Sequence, residues 1–235
     1  MKKVAIVSAM EEETSYIQQY LENRSGWEEI EKNIYQNKAI ATKVYVKVLG
    51  IGKVNAAFQT ADVIHELQPD LIVNIGVSGG LSKKARRGTI AIGKNYVQTD
   101  MRPFLKENYP KINDTPDEMV KGLERVAKEN GFDYIVGKLA TGDFFLNDSE
   151  ERERIIEEFN PVSFDMETAA IAQVATSKKI NFAAIRIFSD LADESALKIF
   201  QNIEKDESEI RNQLNTRPTQ LIIQYLEQSY RVNNK

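Results

Sequence analysis

Residues 71–80 read Leu-Ile-Val-Asn-Ile-Gly-Val-Ser-Gly-Gly. The run 71–74 is short, apolar and largely β-branched, the pattern of a strand buried on both faces. Similar runs occur at 4–7, 39–48, 89–92, 134–139 and 182–187. Amphipathic stretches at 11–22, 54–67, 117–129, 149–157 and 166–177 lie between most of them. Strand–helix alternation of this kind predicts a mostly parallel or mixed sheet flanked by helices.

Working outward, turns at Gly26 and at Asn37-Lys38 frame a hairpin-like pair, 28–36 and 39–48. The tail 195–230 is helical in pattern, with an expected break near Asn215-Thr-Arg-Pro218, because proline suits the first turn of a fresh helix. No internal repeat, low-complexity tract or linker divides the chain. A length of 235 residues fits a single α/β domain. The expectation is therefore one three-layer α/β/α domain over residues 1–235 with a central mixed β-sheet.

Composition narrows the chemistry. With 42% hydrophobic and 28% charged residues the chain is ordinary for a globular enzyme. A formal net charge of −4, a pI near 5.3 and no long basic run argue against nucleic acid as partner. There is no cysteine, so disulfides, thiolate catalysis and sulfur-ligated metals are excluded. The single histidine, His65, sits in a helical run and reads as a surface residue. With no second histidine, neither a Ser-His-Asp site nor a multi-histidine zinc site is expected, so acid–base work falls to carboxylates. The apolar stretch after Lys2-Lys3 meets Glu11-Glu-Glu13 too soon for a signal peptide. No segment approaches the ~20 apolar residues of a membrane span. A cytoplasmic location and no membrane partner are expected.

In open α/β sheets, ligands bind at the carboxyl ends of the strands. Reading past those ends gives Ser8-Ala-Met-Glu-Glu-Glu13, Leu49-Gly-Ile-Gly-Lys53, Asn74-Ile-Gly-Val-Ser-Gly-Gly80, Thr141-Gly-Asp-Phe-Phe-Leu-Asn147, Phe164-Asp-Met-Glu167 and Phe188-Ser-Asp190. Gly50, Gly52 and Gly76–Gly80 permit close backbone approach; the plainer reading is a pair of tight strand-to-helix turns. Neither matches a P-loop or a dinucleotide fingerprint. Glu11, Glu12 and Glu13 complement the positive end of a helix dipole, and one of them can face the strand ends. Neighbours on a helix stand about 100° apart, which leaves open which one does. An acid of Asp165-Met166-Glu167, just before the helix that opens at Thr168, could cap that helix or accept two hydroxyls of a sugar diol. Arg186 inside an apolar strand is costly unless paired or lining a site.

Together these segments resemble the 5′-methylthioadenosine/S-adenosylhomocysteine nucleosidases of the nucleoside phosphorylase superfamily. The matching pieces are Ala5-Ile-Val-Ser-Ala-Met-Glu-Glu-Glu13, Gly50-Ile-Gly-Lys-Val54, Asn74-Ile-Gly-Val-Ser-Gly-Gly-Leu81, Ala140-Thr-Gly-Asp-Phe-Phe145, Asp165-Met-Glu-Thr-Ala169 and Arg186-Ile-Phe-Ser-Asp-Leu-Ala-Asp193. The resemblance implies hydrolysis of the N-glycosidic bond of a 5′-modified adenosine through an oxocarbenium-like transition state, with no metal or redox cofactor. It assigns Asp190 as the acid toward adenine N7, Glu12 as the base for water, and Glu167 as the ribose-diol carboxylate with Met166 on the sugar face. Arg186 matches an arginine beside the water, Ser189 a support for the acid, and Phe145 the ring stacked on adenine, with the Leu146 backbone reading the purine edge. Ile51, Val77, Ser78 and Gly79 complete the implied pocket. Met101 and Phe104 fall where the family reaches across a homodimer interface toward the 5′ group.

The chain also departs from the family pattern. Gln98-Thr-Asp100 stands in place of a His-Asp pair, Val77 in place of a frequent serine, and Ser195-Ala-Leu-Lys-Ile-Phe200 in place of the Ser-Phe-Asp-Glu-Phe lid. Water rather than phosphate is the expected nucleophile, because the Glu11–Glu13 run would repel a dianion. A phosphorolytic transferase and a non-catalytic nucleoside-binding protein are the competing readings.

Overall fold

The computed structural model describes residues 1–101, 110–202 and 209–230. The chain runs β1(Lys2–Ser8), α1(Glu11–Glu22), β2(Glu28–Glu31), β3(Ile34–Asn37), β4(Thr42–Val48), α2(Lys53–Leu67), β5(Leu71–Gly80) and β6(Ile90–Gln98). It continues through α3(Asp117–Glu129), β7(Tyr134–Thr141), α4(Ser149–Phe159), β8(Ser163–Asp165), α5(Thr168–Ser177), β9(Asn181–Asp190), α6(Ala196–Asn202) and α7(Glu209–Ser229).

Alternation along β1 sorts its side chains between two cores. Val4 and Ile6 pack with α1, α3 and α7, while Ala5 and Val7 pack with α2 and α5. That is the three-layer arrangement with a mixed central sheet, ordered β2-β3-β4-β1-β5-β8-β7-β6-β9. Strand β9 also pairs in parallel with β5, so β5, β8, β7, β6 and β9 close into a ring. Both sides of every central strand are covered, which is why these strands read as unbroken apolar runs. No helix among the described residues is long and apolar enough to cross a membrane.

Three expectations need correction, and one strand was not foreseen. The first hairpin is a three-stranded meander: Asn33, at φ 66°, turns the chain between β2 and β3 before β4 follows antiparallel. Residues 76–80 are not a strand-to-helix turn but the second half of β5, paired with β9 and β8. Helix α7 continues through Pro218 rather than restarting there. Leu214 on one side of the proline and Leu221 and Ile222 on the other are buried in one core, and that packing outweighs the lost backbone bond. Strand β8 has only three residues and is held by long-range pairing with β5 and β7, so it carries no local signal.

The strand ends converge on one side of the ring. Gly76 pairs with Arg186, and the register then slips between Ser78 and Gly79, so that Ser78 faces Phe188 and Gly79 faces Asp190. A bulge of this kind re-aims a side chain. It sets Ser189 and Asp190 at the lip of the ring.

Candidate active site

A cleft of about 180 Å³ opens at these strand ends. Eleven of the residues expected to form a pocket line it: Ile51, Val77, Ser78, Gly79 and Phe145 among them. Leu146, Met166 and Glu167 form another part of its wall, and Arg186, Ser189 and Asp190 come from β9. Glu12 is not in it. Met101 is half-buried and also lies outside the cleft wall, while Phe104 lies outside the described residues.

The carboxylate that enters the cleft is Glu13. Met10 is the residue before α1, so Glu13 occupies the third helical position, from which a glutamate reaches back to the chain before the helix. Its Oε2 accepts the N–H groups of Ala9 at 3.1 Å and Met10 at 3.2 Å, and its Oε1 accepts that of Val77 at 2.9 Å. Glu13 is intermediate in exposure, but its carboxylate is the enclosed part. Glu12, one residue earlier and about 100° away on the helix, is exposed. The assignment of Glu12 to the site is thus corrected to Glu13. A second signal for Glu13 stands across the cleft: Gly76, at φ +149°, leaves the space its carboxylate fills, and a Cβ there would overlap Glu13 Oε1.

Glu167 sits just before α5, buried at 4% exposure, and accepts the Gly52 N–H at 3.0 Å and Arg186 Nη2 at 3.4 Å. The Gly52 donor exists because the β4–α2 turn carries positive φ at Gly50 and Gly52. Asp165 fixes the backbone here. Its Oδ1 accepts the N–H groups of Glu167 at 2.9 Å and Thr168 at 2.8 Å, and Thr141 Oγ1 at 3.0 Å.

Arg186 answers the question its burial raised. Its Nη1 donates to Asn74 Oδ1 at 3.2 Å, and its Nε stands 3.5 Å from Asp165 Oδ2. With Glu167 on its other arm, the cation is shared among three acids, counting the nearby Glu13. Asp165 takes the helix-capping part of what its segment suggested, and Asn74, behind the cleft wall, is a partner of Arg186 for which the sequence offered no separate role. Asn74 is a polar residue within the apolar β5, a signal comparable to Arg186 in β9.

Burial raises the carboxyls of Glu13, Glu167 and Asp190 above their ordinary range, with different counterweights. Burial dominates for Glu13, and Arg186 pulls back most strongly. Glu167 is pushed up to about 7, burial again exceeding the pull of Arg186. Asp190, 4% exposed, is raised by burial against the opposing hydrogen bonds of Ser189 Oγ at 2.7 Å and Ala192 N at 2.8 Å. Arg186 is the leading counterweight for the first two, whereas the pull of Arg87 on Asp190 is weaker than that of either hydrogen bond. The cation that favours a carboxylate thus stands beside Glu13 and Glu167 and not beside Asp190, a difference of environment of the kind that divides acid from base.

The sequence profile of the phosphorylase superfamily matches residues 3–227. A 5′-methylthioadenosine/S-adenosylhomocysteine nucleosidase of Geobacillus sp. (strain WCH70) is 32% identical over 215 residues, covering 85% of this chain and 90% of that protein. The crystal structure of the nucleosidase of that name from Neisseria meningitidis, in complex with methylthio-immucillin-A, superposes with a TM-score of 0.78 at 26% identity. That match covers 97% of this chain and all of the other. A futalosine hydrolase mutant of Helicobacter pylori strain 26695 shares the fold, with a TM-score of 0.79 at 21% identity over 97% of this chain and 100% of that one.

Proposed function

The chain belongs to the phosphorylase superfamily, and from that premise we propose that it hydrolyses the N-glycosidic bond of 5′-modified adenosines, releasing adenine and the 5′-substituted ribose. 5′-Methylthioadenosine and S-adenosylhomocysteine are the proposed substrates. Small-molecule nucleosides are its partners, and the reaction requires no cofactor.

The observation that carries hydrolysis over phosphorolysis is the position of Glu13. A phosphorylase must cradle a dianion with backbone N–H groups and arginine. Here the N–H groups of Ala9, Met10 and Val77 are taken by the protein's own carboxylate, and Arg186 already faces acids. Phosphate at this wall would meet a negative charge with its donors spent. Water meets a base.

In the proposed reaction Asp190 gives its proton to adenine N7 as the C–N bond breaks, so that adenine leaves neutral. Glu167 accepts the ribose hydroxyls and faces the cationic sugar, with Met166 beneath it. Glu13 takes a proton from the water that adds to the anomeric carbon. Arg186 holds the two glutamates on a common side. Phe145 stacks on the purine, and the Leu146 backbone reads its edge. One acid for the leaving base and one base for the water, both lining the same cleft, follow the logic of inverting glycosidases.

The assay is adenine release from a panel of 5′-substituted adenosines, with and without inorganic phosphate. Free 5′-substituted ribose at a rate independent of phosphate is expected. Ribose 1-phosphate formed only with phosphate would convert the reading to a phosphorylase, and tight nucleoside binding without adenine release would leave a binding protein.

A homodimer is part of the same proposal. Ile51 at the cleft and Val54 and Phe58 on α2 are 51%, 77% and 62% exposed, an apolar patch that a second copy would cover. Met101 and Phe104 are proposed to approach the partner's site. A Val54→Glu/Phe58→Glu double variant is expected to run as a monomer in light scattering; a dimer of unchanged mass would remove this face from the interface.

A further inference from the structure

We propose that Lys53, Asp100 and Asp143 form a positioning cluster that holds the Gly50–Lys53 turn so that the Gly52 N–H meets Glu167. The proposal rests on the reading of Glu167 as the ribose carboxylate, and it gives a task to a group of charges outside the cleft wall.

Three segments that are distant in sequence meet here: the β4–α2 turn, the end of β6 and the end of β7. Asp143 Oδ1 accepts the Lys53 backbone N–H at 2.8 Å, and the Asp143 N–H donates to Asp100 Oδ2 at 2.8 Å. Lys53 Nζ closes the circuit, donating to Asp100 Oδ1 at 2.6 Å and Gln98 Oε1 at 3.1 Å. Turn and cluster are in close contact as well, since a Cβ on Gly52 would stand 3.1 Å from Asp143 Oδ1. One peptide before the clamped Lys53 N–H, the Gly52 N–H donates to Glu167 Oε1 at 3.0 Å. Two consecutive N–H groups of one turn are thus fixed in different directions, one by Asp143 and one by the candidate site.

None of the three cluster residues lines the cleft. The Lys53 and Asp100 side chains are 18% and 21% exposed, so their ion pair is less hydrated than an ordinary surface pair. A lysine at the first position of a helix is ordinarily a solvated side chain. The structure gives Lys53 two acceptors instead.

The consequence falls on Glu167. Its ionised form is the better acceptor for two hydroxyls. The groups that face it are Arg186 from β9, which favours ionisation, Asp165 from β8 and Glu13 from α1, which oppose it, and the Gly52 N–H, which favours it. Of these, only the Gly52 donor depends on the turn. When the cluster is broken, the turn relaxes and the carboxyl of Glu167 takes up its proton at higher pH.

The test uses the full chain with Lys53→Met, which keeps the stem and removes the cation, alongside Asp100→Ala and the conservative Lys53→Arg. Two readouts are taken: the titration of Glu167 followed by carboxyl ¹³C NMR, and the pH profile of kcat/KM for 5′-methylthioadenosine. In both breaking variants the Glu167 titration and the ascending limb of kcat/KM are expected to move upward by about one pH unit. KM near neutral pH rises about tenfold, the size expected for one lost hydrogen bond to a charged group. Lys53→Arg restores both. Variants that lower only the melting temperature or kcat, with titration and limb unmoved, overturn the proposal, because a merely structural cluster would behave that way. A wild-type chain that releases no adenine while the Glu167 titration still moves in Lys53→Met would sink the proposed function and leave the positioning role standing.

Discussion

Glutamine in place of Glu13 is expected to lower kcat for adenine release by about 10³-fold, within the range of a lost general base, while Glu12→Gln leaves it within about twofold, as surface changes usually do. Gln has nearly the same shape, but its amide has one acceptor and one donor end. Glu13 presents acceptors at both ends, to Val77 on one side and to Ala9 and Met10 on the other. One end of the amide must therefore face an N–H group with another N–H. The variant loses the base and also sets donor against donor in a nearly closed space. Binding of the intact nucleoside through Glu167 and the purine wall is less affected, so the loss belongs in kcat more than in KM. Single-turnover and steady-state assays on both variants, with melting curves to confirm folding, decide between the two positions. A slow Glu12→Gln beside a near-wild-type Glu13→Gln would return the role of base to the exposed residue and leave Glu13 as a brace between α1 and β5.

The choice between these neighbours also shows what could be read from the residues. Periodicity is a property of the chain itself, so α1 and α3 fall at the residues their amphipathic patterns mark, and the apolar runs become strands. What periodicity cannot supply is phase relative to a distant element. Three successive glutamates are equivalent until the place of the first helical residue is known to within one position. Only then does the third reach back to Ala9 and Met10, opposite the gap at Gly76. The resemblance placed the cleft's carboxylate one residue early.

Other differences share that cause. Strand β5 runs on to Gly80 because β9 and β8 supply partners to glycines that would otherwise prefer turns. Strand β8 exists only through such pairing. Pro218 ends helices when the next turn is free to leave; here buried residues on both sides keep it in line. Arg186 was legible because charge in an apolar strand demands an explanation, and Asp190 because it stands at a strand end where the resemblance places an acid. Asn74, which partners Arg186, and the Gly52 N–H, which meets Glu167, were not, since a hydrogen-bonding network is defined by distances across the fold.

The second large effect belongs to Asp190. Replacement by Asn is expected to reduce kcat and kcat/KM together by about 10³-fold or more, the range for a general acid that acts only in the transition state. Asn can still accept the Ala192 N–H at its oxygen and donate its amide N–H to Ser189 Oγ, whose own hydrogen can turn to the Ser78 carbonyl, so the fold and the cleft should survive. What it cannot do is give up a proton to a departing base. Two further results should accompany the loss if the proton is the point. In the wild type, kcat/KM falls at high pH as the burial-raised carboxyl of Asp190 ionises, and in the variant this descending limb disappears. A riboside whose leaving group departs without protonation, such as 4-nitrophenolate, should be cleaved by Asp190→Asn at a rate much closer to wild type than adenosine substrates are. An equal loss on both leaving groups would mean that position 190 serves the sugar or the water rather than the purine, and the proton for adenine would have to come from another wall of the cleft.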